Sequence, residues 1–121
     1  KLTGNAIRVP TPNVSLAVMS LTVEKSNLNK NDVNEFLRKT AFNSKYREIV
    51  GFVNSTEIVS SDFYSSPFAS VLDSQATIVS DNKITLYCWY DNEYGYSVQV
   101  VNLVKNIAGI NLIRLPVKVW Y

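Results

Sequence analysis

Between Trp89 and Ser97 the chain reads Trp-Tyr-Asp-Asn-Glu-Tyr-Gly-Tyr-Ser, so aromatic rings, two carboxylates and one side-chain amide fall within nine residues. An amide presents a donor beside an acceptor, and Asn92 could therefore read a flat carboxamide, although loop asparagines more often satisfy nearby backbone. Asp91 and Glu93 flank it at a spacing that suits a loop, where carboxylates commonly cap, bridge or face water rather than transfer protons. Arg8 is a second charge of interest. It lies in the strand-like run Ala6-Ile7-Arg8-Val9-Pro10, where a guanidinium is costly to bury unless an anion meets it. Two partners suit it: Asp62 or Glu57 in a salt bridge, or a phosphate held by the planar fork. Trp89 and Tyr90 are assigned to packing.

Much chemistry is excluded by what the sequence lacks. There is no histidine and a single cysteine, so the usual proton shuttle near neutral pH is missing and Cys88 has no visible base to form its thiolate. Its place in mid-strand between Tyr87 and Trp89 favours a small buried apolar residue over a nucleophile. No catalytic residue is assigned on this chain. No zinc ligand set, acidic calcium loop or phosphate-binding glycine turn occurs, so no metal site is expected. Twelve basic against ten acidic residues leave a net charge of +2, which names neither a nucleic acid nor an anionic membrane as partner. Apolar stretches such as Ile49-Val50-Gly51-Phe52-Val53 fall far short of the roughly 18 residues a bilayer span needs. A lone cysteine and the absence of a basic lead into an apolar segment point to a cytoplasmic location. The first residue is Lys1, and no linker composition precedes the first apolar pattern, so the chain reads as a piece cut from a longer protein.

The elements that position these residues follow from periodicity. Apolar positions alternate from Val14 to Glu24, with a phase slip near Val18 that implies a bulge or a stretch covered on both sides. Val33, Phe36, Leu37, Thr40 and Ala41 then take helical spacing, with Asn29 as N-cap, Asp32 in the first turn, and Asn34, Glu35, Arg38 and Lys39 facing solvent. Residues 44–55 are mixed, and Thr56 to Phe63 reads as a short strand. Gln75 to Val79 and Lys83 to Tyr90 form a hairpin through Ser80-Asp81-Asn82, with Ile84, Leu86 and Cys88 on one face. A second helix runs from about Tyr96 to Ala108 on a stripe of Val100, Val101, Val104, Ile107 and Ala108, stopped by Gly109. The expected class is α+β, a mainly antiparallel sheet with helices packed on one face.

Taken with Ile7-Arg8-Val9-Pro10-Thr11-Pro12-Asn13 and Val59-Ser60-Ser61-Asp62-Phe63, the nonapeptide resembles the C-terminal part of the catalytic domain of phosphorylating glyceraldehyde-3-phosphate dehydrogenases. The resemblance covers residues 1–109, and residues 110–121 depart from it as an atypical apolar tail whose alternation from Ile113 to Val119 suits an edge strand. What it implies is a cytoplasmic, glycolytic, NAD-dependent enzyme, commonly a homo-tetramer. Such an enzyme oxidises glyceraldehyde 3-phosphate, with inorganic phosphate, to an acyl phosphate through a cysteine thioester. By the same resemblance Arg8 contacts substrate phosphate, while Asn92 and Tyr96 lie at the nicotinamide, the rest of NAD being bound by an N-terminal Rossmann half. That half, the Ser-Cys-Thr-Thr-Asn-Cys nucleophile segment and the catalytic histidine are not in this sequence, so the chain alone is expected to be inactive. Two alternatives stand: a piece of an erythrose-4-phosphate dehydrogenase, which usually has Cys where Tyr90 stands here, or a non-catalytic structural or oligomerisation remnant.

Overall fold

The structure is a computed structural model that describes residues 6–110; the apolar-tail expectation for residues 111–121 lies outside the described residues. Its elements, in order, are β1 (Ser15–Thr22), α1 (Lys30–Asn43), β2 (Val50–Val53), a 3-10 turn (Ser60–Phe63), β3 (Ser70–Asp73), β4 (Ile78–Ser80), β5 (Lys83–Tyr90) and α2 (Tyr94–Ile107). The strands form one sheet in the order β1-β5-β3-β2, with β4 also paired to β5. All pairings are antiparallel except β2 with β3, which is parallel. The class is α+β, as the periodicity implies.

Local chemistry sets the element ends. The Asn29 side chain accepts from Asp32 N at 2.9 Å and donates to the Asp32 carboxylate at 2.7 Å, closing the first turn of α1 reciprocally. At the far end of α2, Gly109 adopts φ 69°, its N–H donates to Asn106 O and that of Ile110 to Lys105 O. This is a Schellman stop, in which a left-handed residue lets the last carbonyls find donors. Between β4 and β5, Ser80 pairs with Lys83 and Asp81 has φ 54°, giving a tight two-residue hairpin.

Several sequence expectations are corrected. β1 and β5 keep an unbroken register from Ser15 opposite Tyr90 to Thr22 opposite Lys83; there is no bulge, and β1 is apolar on both faces, with Leu16, Val18, Met19 and Leu21 exposed. The strand expected over Thr56 to Phe63 is instead loop and 3-10 turn, because the Asp62 carboxylate takes Val59 N at 2.8 Å and curls the backbone. β2 and β3, four residues each, were not legible, being too short for alternation to register. Phe36 is 68% exposed despite its helical spacing.

The core sits mostly on one face of the sheet. There Ile84, Leu86 and Cys88 of β5 and Leu72 of β3 meet Val33 of α1, with Ala17, Leu37 and Phe52 partly buried around them. Burial of each such aliphatic side chain contributes on the order of 1.5–3 kcal/mol, which explains why Val33 and Ala41 fix the inward side of α1 while Glu35, Arg38 and Lys39 pair on its solvent side. A smaller cluster of Val14, Phe63 and Val71 joins Trp89 on the other face. Among the described residues no helix is long and apolar enough to cross a membrane.

Candidate functional site

β5 ends at Tyr90 and α2 begins at Tyr94, so Asp91 to Glu93 form the whole strand-to-helix junction. Asp91 is 3% exposed and its carboxylate accepts four hydrogen bonds. One oxygen takes Glu93 N at 3.0 Å and Tyr94 N at 2.8 Å; the other takes Asn13 Nδ2 at 3.0 Å and Ser65 N at 2.9 Å. Those bonds join three segments distant in sequence. The Tyr94 N–H, outweighing burial and helped by Ser65, Glu93 and Asn13, holds the Asp91 carboxyl below its ordinary 3.8. A carboxylate has about four lone-pair sites, and all are taken, so Asp91 is a structural anion rather than a proton carrier. The capping reading of the Asp91–Glu93 pair is the one the geometry supports for Asp91.

The surroundings of this knot are equally specific. Asn13 uses both ends of its amide, for its Oδ1 accepts Val14 N at 2.7 Å. Val14 is buried and carries φ 69°, an unusual backbone for a β-branched residue and one that costs on the order of 1–3 kcal/mol. Ser65, whose N–H reaches Asp91, has φ 57°. Trp89 stacks on Phe63 with centroids 5.3 Å apart and donates from Nε1 to Asp73 at 3.4 Å, which agrees with its assignment to packing. α2 is seated by Gly95, where a Cβ would lie 2.6 Å from Phe68 O, and by Gln99, whose amide donates to Glu48 O and Pro67 O.

Of the residues singled out from sequence, Asn92 lies at this junction and Tyr96 in the first turn of α2, both exposed, Tyr96 at 70%. No hydrogen bond among the described residues engages the Asn92 carboxamide, which leaves its donor and acceptor free for a planar polar group. Arg8 is not in a strand: residues 6–9 have no regular structure and Arg8 is exposed. Neither Asp62 nor Glu57 pairs with it among the described residues, so the salt-bridge alternative is not realised. The apolar stripe of α2 is also outward, with Val101, Val104 and Ile107 all exposed. Cys88 is buried and its thiol is pushed above the ordinary 9.0 by that burial, consistent with an inert core residue. No group of acidic, histidine or cysteine residues among those described could hold a metal ion. A polar groove of about 480 Å³ beside α1, lined by Lys30, Asn34, Asn54 and Gln75 among others, contains none of these positions.

Asn13, Ser65 and Gly95 escaped sequence reasoning. For the Asp91 cap a signal exists, since a carboxylate three residues ahead of a helical N–H is N-cap spacing; for Asn13, 78 residues away, there is none.

Comparison with known proteins places residues 1–92 in the family described as glyceraldehyde 3-phosphate dehydrogenase, C-terminal domain. The chain is 52% identical over 116 residues to a glyceraldehyde-3-phosphate dehydrogenase-like protein of Pseudomonas aeruginosa (strain UCBPP-PA14), covering 96% of this chain and 25% of that protein. It is 44% identical over 109 residues to the chloroplastic enzyme GAPB of Arabidopsis thaliana, with 89% and 24% covered. To glyceraldehyde-3-phosphate dehydrogenase 2 of Bacillus subtilis (strain 168) it is 38% identical over 111 residues, with 89% and 31% covered. The chain thus spans about a quarter to a third of the length of the curated relatives it matches.

Proposed function

This chain belongs to the glyceraldehyde 3-phosphate dehydrogenase C-terminal domain family, and we propose that it forms the C-terminal part of the catalytic domain of an NAD-dependent phosphorylating enzyme acting on glyceraldehyde 3-phosphate. In that enzyme Arg8 holds a phosphate group, and Asn92 with Tyr96 meets the nicotinamide. The observation that carries the reading is the hydrogen bond from Asn13 to Asp91, which ties the segment bearing Arg8 to the junction bearing Asn92, as a shared cleft requires. Arg8 and Asn13 are five Cα steps apart, so their Cα atoms lie within about 18 Å of each other however the chain runs.

The residues present fit the cofactor for the part they would hold. Asn92 offers an exposed amide with both hydrogen-bonding functions free among the described residues, and Tyr96 offers a ring one helical turn further on. NAD supplies the hydride acceptor when bound; its dinucleotide is held mainly by the portion of the enzyme outside this sequence. Arg8 contributes a permanent, planar, bidentate charge suited to phosphate. This chain's part is to bind and orient, since its one cysteine is buried and unactivated and it contains no histidine. The thioester is made by a cysteine and a base elsewhere in the enzyme. The assembled enzyme is a cytoplasmic homo-tetramer.

The test is kinetic and has two arms. The 121-residue chain, given glyceraldehyde 3-phosphate, NAD and inorganic phosphate, shows no reduction of NAD above background. The complete protein that carries it turns over, and Arg8→Leu raises the KM for phosphate about tenfold or more, the size of one lost charge-assisted contact. Turnover by the chain alone, or an unchanged KM in the variant, would reject the proposal.

A further inference from the structure

Resting on the reading above, we propose that Asp91 is a positioning residue whose carboxylate sets the Arg8 segment and the Asn92 junction in one fixed relation, so that phosphate binding depends on a group that never touches phosphate. Residues 6–13 have no regular structure, apart from a bend at 10–13. Their internal bond is Thr11 N to Val9 O at 2.9 Å, and apart from the adjacent Val14 N–H on Asn13 Oδ1 the hydrogen bond that reaches the rest of the described residues is Asn13 Nδ2 to Asp91 at 3.0 Å. Pro10 and Pro12 fix two φ angles in this stretch and supply no N–H, so the segment is stiff and, among the described residues, tied at its Asn13 end. Whatever orients Asn13 therefore orients Arg8.

Asn13 is itself over-determined. Its acceptor holds Val14 N while Val14 sits at φ 69°, packed against Phe63 and Val71. Such backbone strain persists only where the surroundings enforce it. The opposite oxygen of Asp91 grips Glu93 N and Tyr94 N, the amides that follow Asn92, and so fixes the backbone from which the Asn92 side chain projects. One buried carboxylate thus sets both candidate ligand-contacting segments. With four donors on two oxygens it has no lone pair left for a ligand, which distinguishes a positioning role from a catalytic one.

Substitutions at the two ends of the Asn13–Asp91 bond separate this role from plain stability. Asp91→Asn keeps an oxygen for Glu93 N and Tyr94 N but turns an N–H towards Asn13 and Ser65. Asn13→Ala removes the tie from the other side and leaves the helix cap untouched. The experiment is calorimetric titration of the complete protein with inorganic phosphate, together with KM and kcat for phosphate and the melting temperature of each variant. Each single variant is expected to weaken phosphate binding about tenfold, and the double variant to fall well short of the product of the two, because both break the same Asn13–Asp91 link. NAD affinity in Asn13→Ala should remain that of the wild type. Phosphate affinity within twofold of wild type in Asn13→Ala, or fully multiplicative effects in the double variant, overturns the inference. Should Asp91→Asn not fold, Asn13→Ala alone decides the matter. Arg8→Leu serves as the control: if it weakens phosphate binding and Asn13→Ala does not, the positioning role fails and the functional reading stands; if Arg8→Leu has no effect, the functional reading fails first.

Discussion

Replacing Gly95 by alanine sets two physical effects of opposite sign against each other. Gly95 is the second residue of α2 and is buried. In a helix interior glycine is about 1 kcal/mol less favourable than alanine, so helix propensity alone makes Gly95→Ala stabilising. Packing says otherwise. The added Cβ would lie 2.6 Å from Phe68 O and 3.3 Å from Ser66 O, so reaching even a tight 3.0 Å contact requires a shift of about 0.4 Å between two backbone segments. Neither segment yields readily, because Gln99 fastens α2 to Pro67 O and Asp91 binds both Tyr94 N and Ser65 N. Overpacking of this kind costs on the order of 1–3 kcal/mol, and with a rigid neighbour the upper half of that range applies. The net expectation is a loss of about 1–2 kcal/mol, which for a chain of this size lowers the melting temperature by roughly 3–10 °C. Thermal and urea unfolding followed by circular dichroism measure it directly. Gly51→Ala is the comparison: its Cβ meets side chains rather than backbone, the Phe68 ring at 2.9 Å and Val71 Cγ2 at 3.1 Å, so its loss should be smaller. A Gly95→Ala protein as stable as the wild type, or more so, would refute the placement of α2 against the loop of Ser66 and Phe68.

Asn29→Ala removes the reciprocal cap of α1 and should cost about 1 kcal/mol in urea unfolding, with little change in the slope. Cys88 should resist a thiol reagent in the native state and react only as fast as the protein opens; labelling at the rate of a free thiol would contradict its burial at 2% exposure. Because the folded-state pKa of Asp91 is depressed, the stability it contributes is fully present above its ordinary 3.8 and is lost as pH falls through the lower folded value. The urea midpoint of the wild type should therefore fall more steeply below about pH 4 than that of Asp91→Asn, and parallel curves would argue against an ionised, hydrogen-bonded carboxylate there.

Much of what is decided within a few residues was legible in the sequence, the Val59–Asp62 turn being the local exception. Asn29 with Asp32, the Ser80-Asp81-Asn82 turn and the Gly109 stop each depend on hydrogen bonds or backbone preferences spanning at most a handful of positions, and each is in place. The face of β5 carrying Ile84, Leu86 and Cys88 follows from period two alone, and the motifs around Arg8 and Asn92 identified the family. Tertiary structure decided the rest. Which strands pair, and that β2 runs parallel to β3, depends on contacts that four-residue strands cannot announce. Whether an apolar stripe is covered depends on what lies opposite, so Phe36 and the outer face of α2 are exposed although their spacing is helical. Asp91 acquires its role from Ser65 and Asn13, 26 and 78 residues away. A carboxylate's function is set by the donors that surround it, and those converge only once the chain has folded.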